Sequence, residues 1–267
     1  MKMSRLCGLL LACAAVPGAA FAAPFAYVPN EKSATVSVID TATDAVVDTL
    51  PGGKRPRGIA TDGKHLFISE APTSSLAVID IASRKQLKSI VLGESPEGVS
   101  VSADNTLIAA AVEESNSVAL IKTNGSRPLA DIKVQGKNPE HAVFSPDGRW
   151  LLVSAEEAEQ VDVIDVAARK QVATIPVGRR PRGIAFTPDG SRAYVACEMV
   201  STVYAIDMAS RKVVAEIKAG TFSNGVTAAP DGRRIYVSNG KDGTVSVIRT
   251  ADNQVEATIP VGKRPWN

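Results

Sequence analysis

Short runs in which apolar and polar side chains alternate recur along the chain at an even spacing. Val36-Ser37-Val38-Ile39-Asp40 is the first, and segments 76–80, 118–122, 161–165, 203–207 and 245–249 repeat it, ending 40, 42, 43, 42 and 42 positions apart. Alternation with a period of two marks a half-buried β-strand. A second landmark keeps the same interval: Pro56-Arg57-Gly58, Pro96-Glu97-Gly98, Pro139-Glu140-His141, Pro181-Arg182-Gly183, Ser223-Asn224-Gly225 and Pro265-Trp266-Asn267. A third is the turn that follows, at Asp62-Gly63, Asp104-Asn105, Asp147-Gly148, Asp189-Gly190 and Asp231-Gly232. Three landmarks on one clock define an internal repeat of about forty-two residues.

Each unit reads as four short strands. In the unit beginning at Pro181, segment 183–187 is rich in small residues, and Pro188-Asp189-Gly190 is a tight-turn signal. Segment 193–197 is apolar and β-branched, 203–207 alternates, and 213–219 closes the unit before Gly220. No segment of ten or more residues has a period near 3.6, so helices are expected to be essentially absent. Four antiparallel strands at this period predict an all-β propeller whose blades bury their faces only against neighbouring blades. Each Val or Ile so buried is worth about 1.5–3 kcal/mol.

The first residues belong to a different pattern. Lys2 and Arg5, the apolar stretch 6–16 and Ala20-Phe21-Ala22 form a secretory signal peptide over residues 1–22, leaving 23–267 as the propeller domain. The apolar run is too short to span a bilayer, so no membrane span is expected. A competing reading takes Leu10-Leu11-Ala12-Cys13 as a lipoprotein box; it leaves a good cleavage site unused. Removal of the signal takes Cys7 and Cys13, leaving Cys197 alone, so no internal disulfide can form. It also takes two of the thirty basic residues and none of the twenty-eight acids, so the exported chain carries balanced charge. A neutral, mixed surface has no electrostatic reason to seek nucleic acid or anionic lipid.

Ala26-Tyr27-Val28-Pro29-Asn30, Tyr194-Val195-Ala196-Cys197 and Tyr236-Val237-Ser238-Asn239, each ahead of a V-x-V-I-D-like strand, resemble the YVTN-type β-propeller repeat over essentially the whole exported chain. The run from Tyr27 through Asn30-Glu31-Lys32 to Asp40-Thr41-Ala42-Thr43, then Gly53-Lys54-Arg55-Pro56-Arg57-Gly58, is similar to exported propellers associated with PQQ-dependent alcohol catabolism. The resemblance implies a periplasmic protein with a protein partner, such as a quinoprotein dehydrogenase or a transport component. The repeat specifies fold far better than function. The unit count is five complete blades behind a first blade of three strands, at 26–29, 35–39 and 46–50, with the chain stopping where another inner strand would begin. Rings of this kind resemble ones closed by a carboxy-terminal strand, so the expectation is a truncated ring whose first blade keeps an unpaired inner edge.

The loops entering the inner strands share one face with the loops joining second and third strands. Near the channel mouth this places Arg57, Glu97, Glu140, Arg182 and Asn224, with His141 replacing a glycine. They form either a polar ring for an anionic or carbonyl-bearing ligand, or inter-blade ion pairs, Arg57 with Glu97 and Glu140 with Arg182, each worth about 0–1 kcal/mol if partly exposed. The second loops carry Glu70, Glu113, Glu156 and Glu198, read as a solvated acidic rim rather than a Ca²⁺ or Mg²⁺ site. With only His65 and His141, at opposite ends of their blades, a multi-histidine zinc site is excluded, and no C-x-x-C-H, P-loop or Ser-His-Asp set is present. Cys197 is read as an inert core thiol. No cofactor, metal or catalytic residue is expected. The leading expectation is a non-enzymatic periplasmic binding or scaffold propeller. A lactonase- or lyase-type enzyme using the acidic face and His141, and a single-stranded nucleic acid binder using Lys54, Arg55, Arg57, Arg179, Arg180 and Arg182, are the alternatives.

Overall fold

A computed structural model describes residues 25–266. The signal peptide and the lipoprotein alternative lie outside these residues. Six antiparallel sheets follow one another. Blade one has three strands, β1 (Phe25–Asn30), β2 (Thr35–Asp40) and β3 (Ala45–Pro51). Blade two has β4 (Pro56–Thr61), β5 (His65–Glu70), β6 (Ser75–Asp80) and β7 (Lys85–Val91), and blade three has β8 (Pro96–Val101), β9 (Leu107–Val112), β10 (Ser117–Lys122) and β11 (Pro128–Lys133). Blade four comprises β12 (Pro139–Phe144), β13 (Trp150–Ala155), β14 (Gln160–Asp165) and β15 (Lys170–Pro176). Blade five comprises β16 (Pro181–Phe186), β17 (Arg192–Cys197), β18 (Thr202–Asp207) and β19 (Lys212–Lys218), and blade six β20 (Ser223–Ala228), β21 (Arg234–Asn239), β22 (Thr244–Arg249) and β23 (Gln254–Pro260). Two single 3-10 turns, Ala71–Thr73 and Glu198–Val200, are the helical residues among those described, and no helix there is long and apolar enough to cross a membrane.

The first strands β4, β8, β12, β16 and β20 pack side by side around the axis, and the fourth strands lie outermost. Five apolar clusters fill the five interfaces between successive blades. Between blades two and three, for example, Phe67, Leu76, Val78 and Ile90 meet Ile108, Val112 and Ile121. Between blades five and six, Tyr194, Ala196, Val203 and Ile217 meet Ile235, Val237 and Ile248. The alternation visible in the sequence is therefore alternation between the two faces of a blade. Cys197 lies in the cluster between blades four and five, and burial pushes its thiol up to about 12, which fits an inert core residue.

Crowding at the axis explains the small residues of the first strands. A Cβ on Gly183 would sit 2.6 Å from the Asn224 carbonyl oxygen and 2.8 Å from the Val226 nitrogen. On Gly98 it would sit 2.7 Å from the Glu140 carbonyl oxygen. The Pro-x-Gly landmark is thus the point where neighbouring backbones touch.

Candidate functional site

The residue before each landmark has a left-handed backbone: Arg55, Ser95, Asn138, Arg180, Phe222 and Arg264 all have φ between 48° and 60°. Non-glycine residues rarely adopt this conformation, and its recurrence at all six landmarks marks a built turn. The carbonyl of that residue accepts the amide of the residue just past the second strand. Glu113 donates to Ser95 at 3.0 Å, Glu156 to Asn138 at 2.9 Å, Glu198 to Arg180 at 3.0 Å and Gly240 to Phe222 at 2.9 Å. In each of blades three to six one such bond therefore clamps two loops together and brings their side chains to the same rim of the channel.

On that rim the expected pairs form. Arg57 Nε lies 2.6 Å from Glu97 Oε2, and Arg182 Nη1 lies 2.5 Å from Glu140 Oε1. Arg57 is a quarter exposed, as expected of a partly exposed pair, but the surroundings of the second pair correct that expectation. The Arg182 side chain is 4% exposed and is held by three carboxylates, reaching Glu156 at 3.2 Å and Glu198 at 3.1 Å besides Glu140. Burial works against its charge, but these carboxylates outweigh it and hold the guanidinium above its ordinary pKa. Burial, then the charge of Glu140, push the Glu97 carboxyl up to about 7 against the pull of Arg57. Burial also raises Glu156. The 0–1 kcal/mol of a solvated pair does not describe this network, because removing one partner strands a buried charge.

The acidic ring also differs by one residue from the sequence reading. Glu70 is the last residue of β5 and turns back into its own blade, accepting from the Lys54 amide at 2.7 Å and the Ser75 hydroxyl at 3.2 Å. The position that Glu113, Glu156 and Glu198 share is held in blade one by Glu31, just past β1, which meets Arg55 at 2.8 Å and Arg57 at 3.4 Å. Counting from the end of each second strand reveals it; counting acidic residues does not. Carboxylate oxygens of Glu113, Glu140 and Glu156 come within 4.8 Å of one another. Arg182 Nη1 already pairs with two of those three, Glu140 and Glu156, so a guanidinium stands where a cation would meet them.

His141 and Asn224 complete the expected set. Burial and the nearby charges of Arg182 and Arg57 lower the His141 pKa, partly offset by Glu140, so the imidazole is neutral at pH 7; its Nδ1 is buried with no hydrogen-bond partner among the described residues. Both amide atoms of the buried Asn224 are likewise unpartnered there. Of the basic residues considered for nucleic acid, Arg55, Arg57, Arg180 and Arg182 are tied to carboxylates, with Arg180 bonding Glu156 and Glu198, and Arg179 faces Glu159 at 3.6 Å. Trp266, the sixth landmark residue, is half-buried with its ring over Arg182 at 5.5 Å and Arg264 at 5.1 Å. A mouth cavity of about 340 Å³ is lined by Glu31, Arg57, Glu97, Glu140, His141 and Trp266.

Radially stacked four-stranded sheets with a charged rim at the axis define the chain as a β-propeller repeat protein. Residues 17–106 and 99–234 match the YNCE-like β-propeller family, and the chain belongs to that family. Among solved structures it is similar to the hydrazine synthase of Kuenenia stuttgartiensis, at 21% identity and a TM-score of 0.80, over 90% of this chain and 84% of that one. At that identity the likeness is one of fold. No curated protein matches the chain.

Proposed function

We propose that this is a non-enzymatic binding propeller of the periplasm, accessory to a PQQ-dependent dehydrogenase or an associated transport system, with the charged mouth as its docking face. The observation that carries this reading is the enclosure of Arg182 by Glu140, Glu156 and Glu198. The strongest charges on the face neutralise one another and leave a rigid, patterned surface. Exposed members of the rim, Arg55 and Arg180, supply charges that a protein partner can meet. The export signal at residues 1–22 and the resemblance to propellers of PQQ-dependent alcohol catabolism supply the compartment and the partner class.

The test is direct binding of the purified chain to the periplasmic quinoprotein dehydrogenase from the same source, with R55E and R180E as rim variants. The expected result is a 1:1 complex weakened at least tenfold by either charge reversal and by added salt. Absence of binding by the unmodified chain refutes the partner. One observation favours the lactonase- or lyase-type reading instead: Glu97, with a pKa of about 7, lines the same cavity as the neutral His141. A carboxyl poised near neutrality suits a general base. Turnover of a lactone or uronate substrate, abolished by E97Q, would replace the binding reading.

A further inference from the structure

The face opposite the rim carries the turns between first and second strands and the loops between third and fourth. There the junction of blades three and four is built differently from the next two. Between blades four and five, Trp150 at the start of β13 holds Arg211 over its ring at 4.3 Å. Between blades five and six, Arg192 at the start of β17 donates to the Thr250 carbonyl at 2.8 Å, and the Tyr194 hydroxyl donates to Asn253 Oδ1 at 2.8 Å. Blade three has Leu107 and Ala109 at the positions of Arg192 and Tyr194, and neither side chain has a polar atom with which to bridge the junction. Arg169 is the counterpart of Arg211 and Asn253 and keeps their left-handed backbone, with φ 52° against 54° and 57°. Its guanidinium has no ring, carbonyl or carboxylate partner among the described residues. A groove of about 740 Å³ is left open between the two blades.

The charge of this groove departs from the repeat as well. Strands β2, β6, β14 and β18 end in Asp40, Asp80, Asp165 and Asp207, and each carboxylate accepts an amide of the loop that follows, at 2.7 to 2.8 Å. Strand β10 ends in Lys122 instead. Lys122, Arg149 and Arg169 line the groove, all three exposed, and none forms an ion pair among the described residues. Asp147 is the acidic residue of the lining, and it is engaged by the Ser145 hydroxyl at 2.5 Å and the Arg149 amide at 3.1 Å. Leu107, Leu120 and Val166 form the floor, which continues into the apolar cluster between the two blades. Cations without counter-charges above an aliphatic floor are complementary to a ligand that carries both carboxylates and aliphatic groups.

We propose that this groove docks an extended acidic segment of a partner protein, in which carboxylates alternate with aliphatic side chains. The carboxylates meet Lys122, Arg149 and Arg169 along the edges, and the aliphatic groups cover Leu107 and Leu129. A nucleic acid strand fits less well. The indole of Trp150 already carries two guanidiniums, Arg149 at 4.4 Å and Arg211 at 4.3 Å, so it offers no open face to a base. Blades three and four each have four strands and a neighbour on both sides. The groove is therefore separate from the charged mouth, and this inference goes beyond the proposed docking face and does not depend on it.

The test titrates the full chain into a fluorescein-labelled peptide of alternating glutamate and leucine and reads fluorescence anisotropy at low salt. Saturable binding is expected, at least tenfold weaker in K122E and in R169E, both at exposed positions, with unchanged melting temperatures. K64E, a charge reversal on the same face in blade two, leaves binding as it was and separates the groove from overall charge. L107W sets a ring beneath Arg169 as Trp150 lies beneath Arg211, fills the groove and weakens binding at least tenfold. A peptide with serine in place of leucine binds at least tenfold more weakly. Four results each overturn the proposal: no saturable binding at millimolar protein, undiminished binding by K122E and R169E, equal binding of the serine peptide, or loss equal to theirs in K64E. Displacement of the peptide by an equimolar single-stranded oligonucleotide would assign the groove to nucleic acid, also against the proposal.

Discussion

Replacing Arg182 by methionine keeps the aliphatic stem and removes the one charge that Glu140, Glu156 and Glu198 share. The side chains of Arg182, Glu140 and Glu198 are each at most 5% exposed, so water does not take over the role of the guanidinium. Breaking a buried pair from one side costs about 3–5 kcal/mol. In a domain of this size each kcal/mol moves the melting temperature by about 2–4 °C, so a fall of about 10 °C is expected at pH 8. The sign of the pH dependence follows from linkage. Burial already raises the Glu156 carboxyl with Arg182 in place, and loss of the neighbouring guanidinium takes away a charge that holds it down. The native state then holds extra protons, and the loss shrinks as the pH falls towards 5. Thermal unfolding by circular dichroism at pH 8 and pH 5, with Glu140→Gln added to Arg182→Met, measures both. The second substitution should restore part of the loss at pH 8 and little at pH 5. A loss below about 1 kcal/mol, the same at both pH values, would mean a solvated rim and refute the buried network.

Other outcomes follow from the same structure. Glu97 has a folded pKa of about 7 against an ordinary 4.5, so its contribution is fully present below about pH 4.5 and is lost as the pH rises through 7, about 3 kcal/mol in all; E97Q should flatten the stability profile across that window in denaturant titrations. Gly183→Ala should cost about 1–3 kcal/mol through its clash with the Asn224 backbone, while Gly262→Ala, with nothing within 4 Å, should be nearly neutral in the same melts. Cys197, buried with a thiol pushed up to about 12, should resist a thiol reagent in the native protein and react fully once unfolded.

The blades were legible because a half-buried strand writes its two faces into alternate residues. The expected strand at 35–39 differs from β2 by one residue, and all five landmark intervals correspond to one blade each. The pairs Arg57–Glu97 and Glu140–Arg182 were legible too, since a fixed period stacks equivalent positions on adjacent blades. The burial of the Glu140–Arg182 pair was not. It arises from Glu156 and Glu198 folding inward from the second loops, a convergence of three chain segments that no local pattern records. Glu70 was misplaced, and Glu31 missed, for a subtler reason. Whether an acidic residue ends a strand or follows it decides which way it points, and composition at a strand end does not reveal that single-residue offset.

The mutual neutralisation of the rim is best tested on Arg182 itself, by nitrogen-15 NMR of arginine side chains. The Nε–H that faces Glu198 at 3.1 Å should give a resonance that exchanges slowly with water from pH 6 to 9 and disappears in R182M. Rapid solvent exchange at every arginine Nε–H would show an open, hydrated guanidinium at the axis and contradict the enclosure on which the binding reading stands.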